Sequence, residues 1–132
     1  LPFWPQTLLA TSQAKSSTSR AVATSAMRPV ITVLTSFPLQ QGTTRETFKT
    51  TMLSTVPRYQ GVDGLVKKTY VLDLARCRGG GVYTFNSLAQ AEACFNEAAL
   101  DRARQLFGTF EIQYFEDVIV VENLTGAVRI RS

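Results

Sequence analysis

Aromatic side chains, rather than an acid–base pair, are the most distinctive chemical feature of this sequence. Tyrosines and phenylalanines recur at strand spacing through its middle and late parts, at Tyr59, Tyr70, Tyr83, Phe85, Tyr114 and Phe115. Buried tyrosine hydroxyls require hydrogen-bond partners, so a cluster of them beneath helices suits a phenolic or polyaromatic ligand. Aromatic residues with this spacing are also common in ordinary cores, and both interpretations stay open. The residues expected to line a pocket are Tyr59, Tyr70, Tyr83 and Phe85.

Arg58 directly precedes the first of these tyrosines and is the charged residue that we expect to contact a ligand. A guanidinium group stabilises a nearby anion such as a phenolate. The alternative role for Arg58 is to complement the negative end of a helix dipole. Lys67 and Lys68 are interpreted as a solvated strand edge. Asp73 and Glu116 show no pairing from which a catalytic acid and base could be assigned.

The 132 residues contain no histidine. This absence excludes Ser–His and Cys–His nucleophile pairs, His-ligated zinc and His-ligated haem. The two cysteines, Cys77 and Cys94, lack the spacing of metal ligands, and we expect both to be reduced thiols. We therefore predict neither a metal site nor a bound cofactor.

Three consecutive glycines, Gly79–Gly81, raise the question of a phosphate-binding loop. Such a loop delivers backbone N–H groups and a helix N-terminus to the anion. Here the glycines lead into Val82–Phe85, which has the pattern of a strand, and no Gly-Lys-Ser or Gly-Lys-Thr follows. The triplet is therefore predicted to have a geometric role, either in a bulge or where another group approaches the backbone closely.

Hydrophobic periodicity predicts the elements that position these residues. The predicted order is a strand over Pro29–Phe37, a helix from a Thr43/Glu46 capping box to about Tyr59, strands over Leu65–Leu72 and Val82–Phe85, a helix from Ser87 to Gly108, and a strand over Phe110–Val121. The two middle strands should form an antiparallel hairpin. This β-α-β-β-α-β order is typical of a ferredoxin-like α+β sandwich.

Two helices cover only one face of a four-stranded sheet, yet the first and last predicted strands are apolar on both faces. Leu34, Val118 and Val120 would then lie on the uncovered face. A second copy of the chain is the simplest cover, so a homodimer with its sheets face to face is expected.

Charge and composition restrict the partners. The chain has 14 basic and 10 acidic residues, but three of the basic residues lie in the first 28, which contain no acid. The remaining chain is nearly neutral, which argues against a nucleic-acid-binding surface. No apolar run reaches the length of about 18 residues that a membrane-spanning helix requires.

The predicted organisation is an extension over residues 1–27, a folded domain over 28–123 and a tail over 124–132. The extension is rich in Ser, Thr and Ala and has no acid, which is typical of a transit peptide. The alternatives are a non-native or upstream extension, with Met27 as the true start, and a native disordered arm. A cytoplasmic protein is expected, or an organellar one if the extension is a transit peptide.

Four segments of the chain resemble a known family: MRPVITVLTSF, PRYQGVDGLVKKTYVL, GGGVYTFNSLAQAEACF and FGTFEIQYFEDVIVVEN. They resemble small mono-oxygenases of the dimeric α+β barrel type, which are similar to the antibiotic-biosynthesis monooxygenases. The resemblance implies a ferredoxin-like homodimer with a pocket between sheet and helices. It also implies monooxygenation of aromatic compounds, often without a cofactor.

The preferred hypothesis is a cofactor-independent monooxygenase that acts on a small phenol or hydroquinone. Arg58 would stabilise the phenolate, and no base can be assigned. The alternative is a non-enzymatic protein that binds small hydrophobic molecules, or a stress-associated dimer. Isomerases and lyases on the same scaffold form a third class, because fold alone does not determine function.

Overall fold

The computed structural model describes residues 30–131, so the predicted extension over residues 1–27 lies outside them. The main unit contains β1 (Ile31–Pro38), α1 (Arg45–Leu53), α2 (Val56–Tyr59), β2 (Leu65–Asp73), β3 (Arg78–Phe85), α3 (Leu88–Cys94), α4 (Glu97–Phe107) and β4 (Glu111–Glu116). The strands form an antiparallel sheet of order β2-β3-β1-β4. The protein has the predicted ferredoxin-like α+β fold.

Each predicted helix is divided in two. Pro57 has no N–H to donate to the carbonyl of Leu53, so α1 cannot continue through it, and the hydroxyl groups of Ser54 and Thr55 donate to carbonyls of the last turn. The second break lies at Asn96, whose side chain accepts a hydrogen bond from Ala99 and begins α4. None of the described helices is long and apolar enough to cross a membrane.

The helix caps differ in part from the prediction. Thr44, not Thr43, caps α1, and it forms a reciprocal capping box with Thr47. Thr43 instead donates its hydroxyl to the carbonyl of Gln40. Ser87, where the second helix was predicted to begin, caps α3, since its side chain accepts a hydrogen bond from the backbone N–H of Gln90.

Buried and half-buried side chains alternate strictly along β1, which shows which face of the sheet the helices cover. Ile31, Val33, Thr35 and Phe37 are buried beneath the helices, while the residues between them are half-buried on the other face. Phe85 is opposite Ile31 in the register and is completely buried. We call the face without helices the open face.

The glycine triplet lies inside strand β3, which confirms that it does not lead into a helix. A Cβ on the first glycine would lie 2.6 Å from the ring of Phe48, and one on the third would lie 2.9 Å from the ring of Tyr83. A Cβ on the second would collide with the carbonyl oxygen of Thr35. Because the three glycines have no side chains, aromatic rings and a neighbouring strand pack close to their backbone, as the geometric interpretation predicted.

The predicted strand over Phe110–Val121 is wrong in its extent. Strand β4 ends at Glu116, and a separate strand, β5, covers Ile119–Glu122. Strand β5 does not lengthen β4 but pairs antiparallel with β6 (Ala127–Ile130). Gly126, whose φ is 74°, ends the turn between β5 and β6, and glycine adopts such a positive φ at no steric cost.

The segment over residues 124–132, predicted as a tail, contains β6. The backbone N–H of Arg131 donates to the carbonyl of Val118 at 2.7 Å, which closes the hairpin. This hairpin belongs to a compact unit distinct from residues 30–116. Val118 and Val120, expected on the open face, accordingly lie outside the four-stranded sheet.

Candidate active site

A cavity of about 480 Å³ lies between the sheet and the helices of the main unit. Three kinds of side chain dominate its lining. The lining includes the tyrosines Tyr59, Tyr70 and Tyr83, the phenylalanines Phe37, Phe95, Phe107 and Phe110, and the cations Arg58, Lys68 and Arg102. Among the described residues that line the cavity there is no aspartate or glutamate. It is thus an aromatic cavity whose formal charge is entirely positive.

Lys68 occupies the centre of the tyrosine cluster. Its Nζ lies 3.4 Å from the ring centroid of Tyr59, 3.9 Å from that of Tyr70 and 4.8 Å from that of Tyr83. All three rings lie within the distance at which an aromatic face attracts an ammonium group. We call Lys68 and these three residues the tyrosine cage.

The local structure of β2 explains why Lys68 points inward. A bulge between Leu65 and Lys67 shifts the register, so that Lys68 lies opposite Tyr83 and Tyr70 opposite Gly81. The prediction that Lys68 belongs to a solvated edge is therefore wrong. Lys68 and Tyr70 are two residues apart on one strand and must share a face, and this period-two relation was the available sequence signal.

Burial lowers the pKa of Lys68 from its ordinary value of 10.5 to about 7. The Cys94 thiol opposes this shift, and the positive charge of Arg58 adds to it. The ring faces of the cage stabilise the ammonium form, but none of the described residues that line the cavity is a carboxylate that could compensate for the lost hydration. A substantial fraction of Lys68 is therefore a neutral amine at physiological pH.

Hydrogen bonds hold the tyrosines in place around this amine. The hydroxyl groups of Tyr59 and Tyr83 interact with each other, and that of Tyr83 also interacts with Thr35 on the neighbouring strand. Tyr70 forms a separate bond of 2.7 Å with Thr55, which lies at the break between α1 and α2. Each cage tyrosine thus has a polar partner at its buried end, which fixes the orientation of its ring.

Tyr59 and Tyr83 remain protonated under the conditions in which Lys68 loses its proton. Burial raises the pKa of Tyr83 far above its ordinary value, and its bond to Tyr59 contributes to this rise. Burial likewise raises the pKa of Tyr59 and that of the Cys94 thiol. Lys68 is consequently the group in the cage suited to accept a proton near pH 7.

Phenylalanine rings form another part of the lining. Phe37 and Phe107 stack with ring centroids 4.0 Å apart at an interplanar angle of 20°. Phe110 continues the stack, 6.1 Å from Phe37. These flat apolar surfaces suit a planar aromatic ligand.

The structure brings together four of the five site residues predicted from the sequence. Arg58, Tyr59, Tyr70 and Tyr83 all line the cavity. Phe85 does not, because it lies behind the cage, stacked on Tyr83 at 6.3 Å within the hydrophobic core. Sequence reasoning missed Lys68 and Arg102.

The fold and cavity define a ferredoxin-like α+β protein with an aromatic site beneath its helices, and similar solved structures share that fold. No protein-family model and no curated protein matches the sequence. A candidate antibiotic biosynthesis monooxygenase from Bordetella bronchiseptica is 18% identical, with a TM-score of 0.54 over 69% of this chain and 99% of that chain.

Two further structures show the same likeness. A protein of unknown function from Nitrosomonas europaea is 12% identical, with a TM-score of 0.54 over 70% of this chain and 92% of that chain. A protein from Shewanella oneidensis is 19% identical, with a TM-score of 0.52 over 68% of this chain and 92% of that chain. At these identities, the similarity supports the fold and not a particular reaction.

The titration of Lys68 can be measured directly. In NMR spectra of protein labelled at the lysine side chains, one signal should titrate with a midpoint near pH 7, because burial disfavours its ammonium form. The Lys68→Met variant should lack that signal. If no lysine signal has a midpoint below about pH 9, the electrostatic description of the cage is wrong.

Proposed function

We propose that this protein is a cofactor-independent monooxygenase of small phenolic or quinol compounds. The observation that carries this proposal is the Lys68 amine, held among three tyrosine rings in an aromatic cavity. The similarity to a candidate antibiotic biosynthesis monooxygenase supports it at the level of the fold. A site for a passive hydrophobic ligand would not require a lysine with a pKa near neutrality.

Lys68 would act as the general base. A lysine whose pKa is lowered to about 7 can accept a proton at physiological pH. The phenolic hydroxyl of the substrate would donate its proton to Nζ, which would leave an ammonium group beside a phenolate. The two charges stabilise each other more strongly in this partly buried cavity than they would in bulk water. Arg58, which lies near Lys68, adds positive potential that also favours the phenolate.

The phenolate then supplies the electrons that O₂ requires. One electron passes from phenolate to O₂, and the two radicals combine to form a carbon–peroxide bond on the ring. The Lys68 ammonium protonates the peroxide. Loss of the proton from the same ring carbon, with cleavage of the O–O bond, gives a quinone and hydroxide, which becomes water on protonation. Overall, a phenol and O₂ give a quinone and water.

The rest of the lining positions the substrate and limits its contact with water. The phenylalanine stack offers a flat surface for the ring system. Tyr59 and Tyr83 keep their protons and can donate hydrogen bonds to oxygen atoms that become negative. The cage thus combines one proton acceptor, Lys68, with hydroxyl groups that act as hydrogen-bond donors.

A homodimer formed through the open face completes the proposal. Leu34 and Val82 are paired neighbours on the two central strands, and Val71 and Phe115 are exposed on the outer strands of the same face. Apolar residues in the middle of an uncovered sheet favour a second copy as the cover. The charged residues at one end of this face, Arg78 and Glu111, pair with each other within the chain.

Oxygen consumption with a panel of naphthols and hydroquinones tests the enzymatic proposal. The activity should not depend on added flavin, and it should fall as the pH drops below about 7, because protonated Lys68 cannot act as a base. Lys68→Met should lower kcat/KM by about 10²–10⁴-fold. The difference in kcat/KM between Lys68→Met and the wild type should become smaller at high pH, where the phenol is already ionised in solution.

Lys67→Met is the matched control, since Lys67 is the adjacent residue but is exposed and does not line the cavity. It should retain the wild-type pH profile. Equal rates in the wild type and Lys68→Met would exclude Lys68 as the base. Tight binding of phenols without any oxygen uptake would favour the non-enzymatic binder.

Analytical ultracentrifugation tests the dimer. The wild type should sediment as a dimer at micromolar concentration. Leu34→Asp should dissociate it, because an unpaired charge buried in the interface costs roughly 3–5 kcal/mol. Leu88→Asp is the control, since it places a carboxylate on an exposed position in the first turn of α3. A monomeric wild type at these concentrations would contradict the proposal.

A further inference from the structure

Two arginines line the cavity in addition to Lys68, and the proposed proton transfer needs only Lys68 as its base. Arg58 and Arg102 line it together with Lys68, and neither is paired with a carboxylate among residues 30–131. The arginines that do form such pairs are Arg76, Arg78, Arg104 and Arg129. Two unpaired guanidinium groups beside one aromatic cavity offer a binding place for an anion.

The position of Arg102 on α4 follows from the helical repeat. Ala99, Ala103 and Leu106, which are three to seven residues apart, line the cavity on the same side of the helix as Arg102. Arg104, two residues further along, lies off this stripe and pairs with Asp101 at 3.3 Å. Arg102 therefore belongs to the cavity lining by its place on the helix.

Arg58 and Arg102 are both exposed, in contrast to the half-buried Lys68. Their side chains can therefore pack along the cavity while the guanidinium groups stay at its opening to solvent. A guanidinium group is a permanent cation, whereas a substantial fraction of the half-buried Lys68 is neutral at physiological pH. The cavity thus has a neutral, proton-accepting interior and a cationic opening.

We propose that Arg58 and Arg102 bind a carboxylate of the substrate, so that the substrate class is hydroxylated aromatic carboxylic acids. The planar guanidinium forks match the geometry of a carboxylate and favour it over a neutral substituent. The position of the substrate's phenol group at Lys68 rests on the proposed function, but the preference for a substrate that carries a carboxylate does not. Arg58 then contributes mainly to binding the acid group, with a smaller effect on ionisation of the phenol.

Binding of two matched compounds under anaerobic conditions tests this proposal without any need for turnover. By isothermal titration calorimetry, 6-hydroxy-2-naphthoate should bind about tenfold or more tightly than the neutral 6-hydroxy-2-naphthamide. The preference should diminish at high ionic strength, since both arginines are exposed. Arg58→Gln and Arg102→Gln should each lower the ratio of the affinity for the acid to that for the amide, and the double variant should bind the two compounds equally.

Arg104→Gln is the matched control, because it removes a neighbouring charge of α4 that is outside the cavity lining; it should keep the preference. Equal binding of acid and amide to the wild type would overturn the proposal. So would a preference that survives in the double variant, or failure of both compounds to bind. Because no oxygen is present, failure of the monooxygenase proposal would leave a preference for the acid intact.

Discussion

The burial of the Lys68 amine against three tyrosine rings is the interaction on which the site depends. A charged amine removed from water without an acidic partner is costly, and cation–π contacts return only about 0.5–2 kcal/mol. The pKa of Lys68 therefore falls to about 7, while the same burial raises the pKa values of Tyr59 and Tyr83. One constraint thus produces a proton acceptor beside two hydroxyl groups that keep their protons and serve as hydrogen-bonding groups.

The sheet provides the space for this arrangement. The glycine triplet gives β3 no side chains next to Tyr83, and ring atoms of Tyr83 and Phe48 occupy the volume where Cβ atoms would lie. The bulge in β2 then sets Lys68 opposite Tyr83. Glycines that invited a phosphate-binding interpretation instead allow aromatic groups to pack closely against a strand.

The strand and helix order, the ferredoxin-like fold and four lining residues could be predicted, because strong hydrophobic periodicity determines which face each side chain takes. The inward position of Lys68 was missed because Lys67 and Lys68 were interpreted together as a solvated edge, although Lys68 shares a face with Tyr70 two residues along the strand. Arg102 was missed because helix α4 is mostly exposed. The β5–β6 hairpin was missed because its strands are only four residues long.

The central claim is that Lys68 ionises a bound phenol, and the absorption spectrum of that phenol tests it most directly. Free 2-naphthol is neutral at pH 7, as expected for a phenol with a pKa near that of tyrosine. Bound anaerobically to the wild type, it should show the spectrum of the naphtholate anion, and bound to Lys68→Met it should show that of the neutral form. A neutral spectrum in the wild type, or an anion in both proteins, would contradict the account.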